Sequence, residues 1–301
     1  MRNKKNREKR RQRIGLVYIL PWLAGFLLFQ LYPFAVSFLY SFTDLAVAGK
    51  FNFIGLENYV RLFTDDPDFK KSALVTCSYV LFVVPGKLLC ALIVALVLNI
   101  KLRAVNIYRT IFYLPSILGG SVAISALWRV MFMSTGIINS LTARIGLPPL
   151  NWLGDPRYSL FTISMIEMWQ FGSSMILFLA ALKQVPSELY DASSVDGAGR
   201  LRVFFSITLP MISAILFFNI IMQTINALQN FTAAFVVTRG GPIKSTYLLG
   251  IKLYEDAFSR YSMGYASAQS WVMFAVIVAF TIIVFKTSDK WVFYNDGEKS
   301  N

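Results

Sequence analysis

The chain has no histidine and only two cysteines in 301 residues. A His-ligated zinc site and a His-based catalytic triad are therefore excluded. Cys77 and Cys90 share one apolar segment and have no metal-type partner spacing. Charge is also scarce, at 15% of residues against about 25% in an ordinary soluble domain. Acidic residues number 16 against 29 basic ones. A net +13 suits nucleic acid or an acidic membrane surface, but eight of the basic residues fall within Arg2–Arg13, directly before an apolar stretch. The expected partner is a lipid bilayer and not nucleic acid. A phosphate loop is missing too. Gly240-Gly241-Pro242-Ile243-Lys244-Ser245-Thr246 has some of its letters, but no glycine precedes the lysine and no strand leads into a helix. Gly-Pro turn chemistry is the better reading. No nucleophile–base pair or metal cluster points to an enzyme.

What the chain has in excess is hydrophobic residues, 56% of the total, with a mean hydropathy of +0.56. A spanning helix needs about 20 mostly apolar residues. Six segments qualify, near 14–42, 73–100, 108–133, 158–182, 204–230 and 266–286. The first follows a basic flank as a signal peptide would, but its apolar run is far too long and no small-x-small site follows, so it is read as a retained span. Lys and Arg in the connections number 17 on the side of the N-terminus and 10 on the other. The positive-inside rule then predicts that both termini are cytoplasmic. The expected fold is an all-α integral membrane domain over 1–301, with a basic N-terminus at 1–13, six spans within 14–286 and a tail at 287–301.

The loop between the fourth and fifth spans carries the strongest pattern. It runs from Pro186 through Ser187-Glu188-Leu189-Tyr190-Asp191-Ala192-Ser193-Ser194-Val195-Asp196-Gly197-Ala198-Gly199 to Ile207-Thr208-Leu209-Pro210. Pro186 and Ser187 suit a helix start, and Glu188 and Asp191 suit its positive end. Gly197 and Gly199 then supply the backbone freedom for a sharp turn. The pattern predicts a short exposed helix, a break and a second helix.

This loop resembles the signature of permease subunits of binding-protein-dependent ABC importers: E-A-A, three residues, G, nine residues, I-x-L-P. Asp191, Ala192 and Ser193 hold the first places, Gly197 the glycine, and Ile207, Leu209 and Pro210 the last. Asp for Glu and Ser for Ala are conservative departures. Pro21 through Thr43, Gly55-Leu56-Glu57-Asn58-Tyr59, Tyr113-Leu114-Pro115, Thr238-Arg239-Gly240-Gly241-Pro242 and Gly264-Tyr265-Ala266-Ser267-Ala268 extend the resemblance to the carbohydrate-uptake branch. The resemblance implies a bacterial inner-membrane permease with a second homologous permease, two ATP-binding cassette subunits, an extracytoplasmic solute-binding protein and a sugar as cargo. ATP would be bound by the partner subunits, so no cofactor is expected here. Glu188, Asp191, Ala192, Ser193, Asp196, Gly197 and Ala198 would face the ATPase.

Polar residues inside spans are costly and usually face a bundle interior or a wet cavity. Asn219, Gln223, Asn226 and Asn230 recur at steps of four, three and four, on one helical face. Amides donate and accept, as a polyhydroxylated cargo requires, yet they also hold helices together in lipid. Both readings stand, with Asn230 favoured for the path because it lies near a matching position in the resembling permeases. Glu167, Trp169 and Gln170 in the fourth span are further path candidates. Glu167 would bond sugar hydroxyls or pair with Lys87 or Arg129. Lys87 lies mid-span beside Pro85, where an unpaired lysine costs about 2.5–3.5 kcal/mol, so it must face protein or water, and Pro85 is expected to kink its helix. Arg129 is placed to snorkel outward. Two rivals remain at this stage: the same machine carrying glycerol phosphate, and an ion-gradient-driven transporter using Glu167 as proton carrier.

Overall fold

The computed structural model describes residues 18–46, 51–100 and 104–293. The basic N-terminus at 1–13, residues 14–17 of the first expected span and residues 294–301 of the tail lie outside the described residues. Among those described, the chain is helical throughout, and the one β-bridge is an isolated pair of Thr43 with Phe53. It divides into two compact units, residues 1–65 with 253–274, and residues 66–252 with 275–301.

The first unit holds the first span, Tyr18–Tyr40, and the beginning of the sixth, Met263–Ser288. The apolar side chains of the first span are largely exposed, Tyr18, Trp22 and Phe29 among them, as lipid-facing residues are. Its later turns pack on Trp271, whose ring lies 4.6 Å from those of Phe34 and Phe38 and whose indole N–H donates to Ser37 Oγ at 3.2 Å. Two of the motifs noted in the sequence are structural here. The Asn58 amide donates to the carbonyls of Ser41 and Thr43, at 2.9 Å each. Gly264 packs so close to the Thr43 carbonyl that a side chain has no room.

The second unit is built around the second span, Pro67–Asn99, which continues through Pro85 without interruption. Asp66 caps its start by accepting from Phe69 N–H at 3.0 Å and also pairs with Lys252 Nζ at 2.6 Å. Asp155 caps the fourth span, and the Arg157 guanidinium and backbone N–H hold its carboxyl below the ordinary range.

The third and fourth spans are not single rods. The segment expected at 108–133 is two helices, Val105–Leu118 and Val122–Met131, bent by 102°. Gly119 and Gly120 follow Pro115 there, and a Ser121 cap restarts the helix by accepting from Ile124 N–H. The fourth is Pro156–Trp169 followed by Gly172–Leu182, bent by 48°. The fifth, expected from 204, instead begins at Ser213 and reaches Val237, with a break between Leu228 and Thr232. Sequence reasoning placed its start too early because 204–211 is as apolar as a span. Those residues form a separate stretch in which Phe204–Thr208 is a π-helical turn. Pro210 has no N–H to continue the ladder, and Leu209 N–H bonds the Phe204 carbonyl, five residues back.

The breaks sort the half-helices into two layers. Thr232–Val237 packs on Val122–Met131 and Pro156–Trp169, while Gly172–Leu182 packs on Val105–Leu118 and Ser213–Leu228. The second span passes through both layers. Close approach fixes the junction: a Cβ on Gly172 would meet the Phe112 carbonyl oxygen and stand 2.7 Å from Tyr113 Cα. Gly172→Ala should therefore lower the thermal midpoint of the purified protein by an amount worth about 1–3 kcal/mol. Gly120→Ala, whose added methyl meets nothing within 4 Å, should cost far less; equal losses from the two would contradict this packing.

Candidate functional site

Two sites carry the candidate residues. The first is the helix Ser187–Val195, which begins after Pro186 and ends where Gly197 adopts φ +68°. Glu188, Asp191, Ala192, Asp196 and Gly197 are exposed, and Ala198 is partly buried. Val195, at 89% exposure, and Leu201, at 76%, add uncovered apolar surface on either side of the turn. Ser193 differs from the rest: it is buried, and its hydroxyl donates to the Tyr190 carbonyl at 2.7 Å. The Tyr190 and Thr208 hydroxyls lie 3.2 Å apart in a hydrogen bond. That bond ties the exposed helix to the π-helical turn that leads into the fifth span. Ser193 is thus an anchor within the loop, and the carboxylates are its free face.

The second site lies where the layers meet. Glu167 sits one turn before the break in the fourth span. Its Oε1 accepts from Lys87 Nζ at 2.6 Å and its Oε2 from the Asn230 amide at 3.3 Å. One carboxylate thus joins the second, fourth and fifth spans. The pair is largely buried, with the Lys87 side chain 6% exposed and that of Glu167 15%. Asn230 stands in the break of the fifth span, and its Oδ1 is buried without a hydrogen-bond partner among the described residues. The Tyr79 hydroxyl is likewise buried and unpartnered, within electrostatic reach of Glu167. The cluster therefore holds its charges internally and keeps two polar atoms uncommitted.

The remaining sequence candidates divide. Gln170 lies at the same break, where its side chain fills the space over Gly119 and its backbone carbonyl accepts from Ser116 Oγ at 2.9 Å. Trp169 is exposed, with its ring 5.8 Å from that of Trp128. The amide stripe does not act as one surface. Asn219 is buried and donates to the Ile215 carbonyl of its own helix, and Gln223 donates to Ser174 Oγ at 3.1 Å. Gln223 ties its helix to Gly172–Leu182, the Asn219 bond stays within its own helix, Asn226 is exposed, and only Asn230 reaches the charged cluster. Arg129 is exposed in the last turn of Val122–Met131 and does not join Glu167. Sequence reasoning missed Tyr79, Ser116, Ser174 and Trp128, whose single polar or aromatic positions fall into no periodic pattern. The loop at 240–246 is a tight turn with Thr246 buried and bonded to Thr238 Oγ1 and the Gly241 carbonyl.

Residues 67–293 match the family described as binding-protein-dependent transport system inner membrane components. The chain belongs to that family. This permease is 44% identical to the probable ABC transporter permease protein YesP of Bacillus subtilis, over 98% of this chain and 97% of YesP. It is 32% identical to the trehalose/maltose transport system permease protein MalF of Thermococcus litoralis, over 92% of this chain and 94% of MalF. Among solved structures it resembles a bacterial ABC transporter involved in the import of the acidic polysaccharide alginate, with a TM-score of 0.79 and 22% identity, covering 94% of this chain and 98% of that one. That likeness establishes the fold. The permease is accordingly a transport component and not an enzyme.

Removing one partner from a buried ion pair costs more than removing both. Glu167→Gln in the permease should lower its stability by on the order of 3 kcal/mol. The double variant Lys87→Met with Glu167→Leu should recover most of that stability. Heat denaturation of the purified variants checks this, and a double variant as unstable as the single one would mean that the two charges are not coupled.

Proposed function

We propose that this permease forms half of the translocation pore of an ATP-driven sugar importer in a bacterial cytoplasmic membrane, with both termini cytoplasmic. Its two compact units act as one permease domain. It works with a second homologous permease, two ATP-binding cassette subunits that supply the nucleotide chemistry, and an extracytoplasmic solute-binding protein. The observation that carries this reading is the exposed helix Ser187–Val195 with its Gly197 turn, anchored through Tyr190 to the entrance of the fifth span. Such a helix offers a separate motor a handle: Glu188, Asp191 and Asp196 face it together with Ala192, Gly197 and Ala198, and Ser193 stiffens the loop from within.

The cargo path in this reading passes the junction between layers, where Asn230, Gln170 and Trp169 stand beside the Glu167 cluster. Asn226 offers a further exposed amide, while Gln223 is committed to Ser174 and Asn219 to its own helix. Relatives named for trehalose and maltose support a sugar. The pairing of Lys87 with Glu167 weakens both rivals, since it engages the buried cation that a phosphate cargo would meet at that junction and the carboxylate that a proton carrier needs.

Gly197→Asp should leave membrane insertion intact, because the turn lies outside every span. It should reduce sugar-stimulated ATP hydrolysis by the reconstituted complex at least tenfold. Hydrolysis and uptake at the unmodified level in a well-expressed variant would remove the docking role.

A further inference from the structure

Between the second span and the approach to the fifth lies a groove of about 580 Å³, lined by apolar side chains alone. Val84, Leu88 and Leu92 line one wall at steps of four, so they share a face of Pro67–Asn99 over about 12 Å. Phe204 and Phe205, in the π-helical turn, begin the other wall. Val84 and Leu88 are buried, whereas Leu89, at 59% exposure, and Phe205, at 61%, stand open at the rims. Water is a poor occupant, because it needs several polar partners and the groove offers none. In a bilayer, then, hydrocarbon fills it.

An acyl chain gains no hydrophobic energy on entering such a groove, since it leaves one hydrocarbon for another. Packing contacts hold it there, and any choice among lipids comes from the headgroup. Arg200 is placed to make that choice. The Phe204 N–H bonds the Arg200 carbonyl, which puts the two residues one turn apart on the same helical face. A helical side chain leans toward the N-terminus of its helix, so the Arg200 guanidinium reaches beyond the end of the groove, where a headgroup lies. Arg200 is exposed and forms no ion pair or hydrogen bond with a described residue. What distinguishes it from other exposed arginines is its place in line with the groove. Arg202, two residues on, turns to a different face and lines a separate hollow with Asp196 and Ser206.

We propose that this groove binds an acyl chain of an anionic phospholipid, whose phosphodiester pairs with Arg200. A phosphodiester carries the single negative charge that one guanidinium balances, and its two free oxygens match the guanidinium fork. A helix of a second permease would cover the apolar walls equally well but leaves Arg200 without a counter-charge. The inference goes beyond the importer reading and rests on it only for placing Arg200 at a membrane surface.

The test uses the complete complex in phosphatidylcholine nanodiscs holding a trace of phosphatidylglycerol with a photoreactive acyl chain. Cross-linked peptides are mapped by mass spectrometry, with unlabelled phosphatidylglycerol or phosphatidylcholine as competitor. Labelling is expected on 84–92 and 204–220, with phosphatidylglycerol competing about fivefold better than phosphatidylcholine. Arg200→Gln should abolish that preference while the groove is still labelled, and Arg202→Gln should keep it. Equal competition by the two lipids overturns the proposal, as does a preference that survives Arg200→Gln. Loss of the preference in both variants overturns it too, leaving only a general attraction to positive charge. A groove that stays unlabelled, with Leu89→Cys cross-linking to a second permease, assigns the surface to the subunit interface instead. Sugar-stimulated ATP hydrolysis by the same nanodiscs reports separately on the importer reading: hydrolysis without groove labelling sinks the lipid site alone, and labelling without hydrolysis sinks that reading alone.

Discussion

A carboxylate and an ammonium can stay inside a lipid-embedded bundle only if each neutralises the other, and the Glu167–Lys87 pair is placed where that constraint binds the most elements. Its position gives it reach. Glu167 lies one turn before the break in the fourth span, Lys87 lies midway along the unbroken second span, and Asn230 brings in the break of the fifth. The three spans are therefore registered at one height. The layered arrangement of half-helices follows from that registration, because each break falls close to the charged junction.

Interrupted helices in lipid raise a second problem, since every freed backbone group needs a partner. The breaks solve it locally. Ser116 bonds the Gln170 carbonyl and accepts from Ser173 N–H, and Ser121 caps the restart of the third span. Glycine at 172 lets the neighbouring backbones come into contact. The result is a bundle whose halves are separately packed and jointly pinned. Such a bundle suits the proposed transmission of motion from the Ser187–Val195 helix to a path near its middle.

Much of this was legible in the chain itself. Apolar run lengths located six segments, and all six became single or paired helices, the fifth displaced from 204–230 to Ser213–Val237. Pro186 and Gly197 marked the exposed helix and its turn, because those residues act on their own backbone regardless of what packs on them. The motif around Asn58 was visible as a motif, although its work is to hold two carbonyls of a neighbouring loop. The start of the fifth span and the bend of the third were not legible. Hydropathy measures transfer into lipid and is blind to whether a helix is straight.

The site shows the same division. The sequence alone determined that Lys87 must face protein or water, since the cost of a bare ammonium in lipid does not depend on the fold. The expected single face of amides did not form, because the helix ends at Leu228 and Asn230 stands in the break beyond it. Only the tertiary structure decided that Glu167 pairs with Lys87 and not with Arg129, and that Asn230 alone of the four amides joins the pair. Those choices depend on which helices meet and at what depth, and contacts between residues 63 and 80 positions apart leave no trace in local spacing.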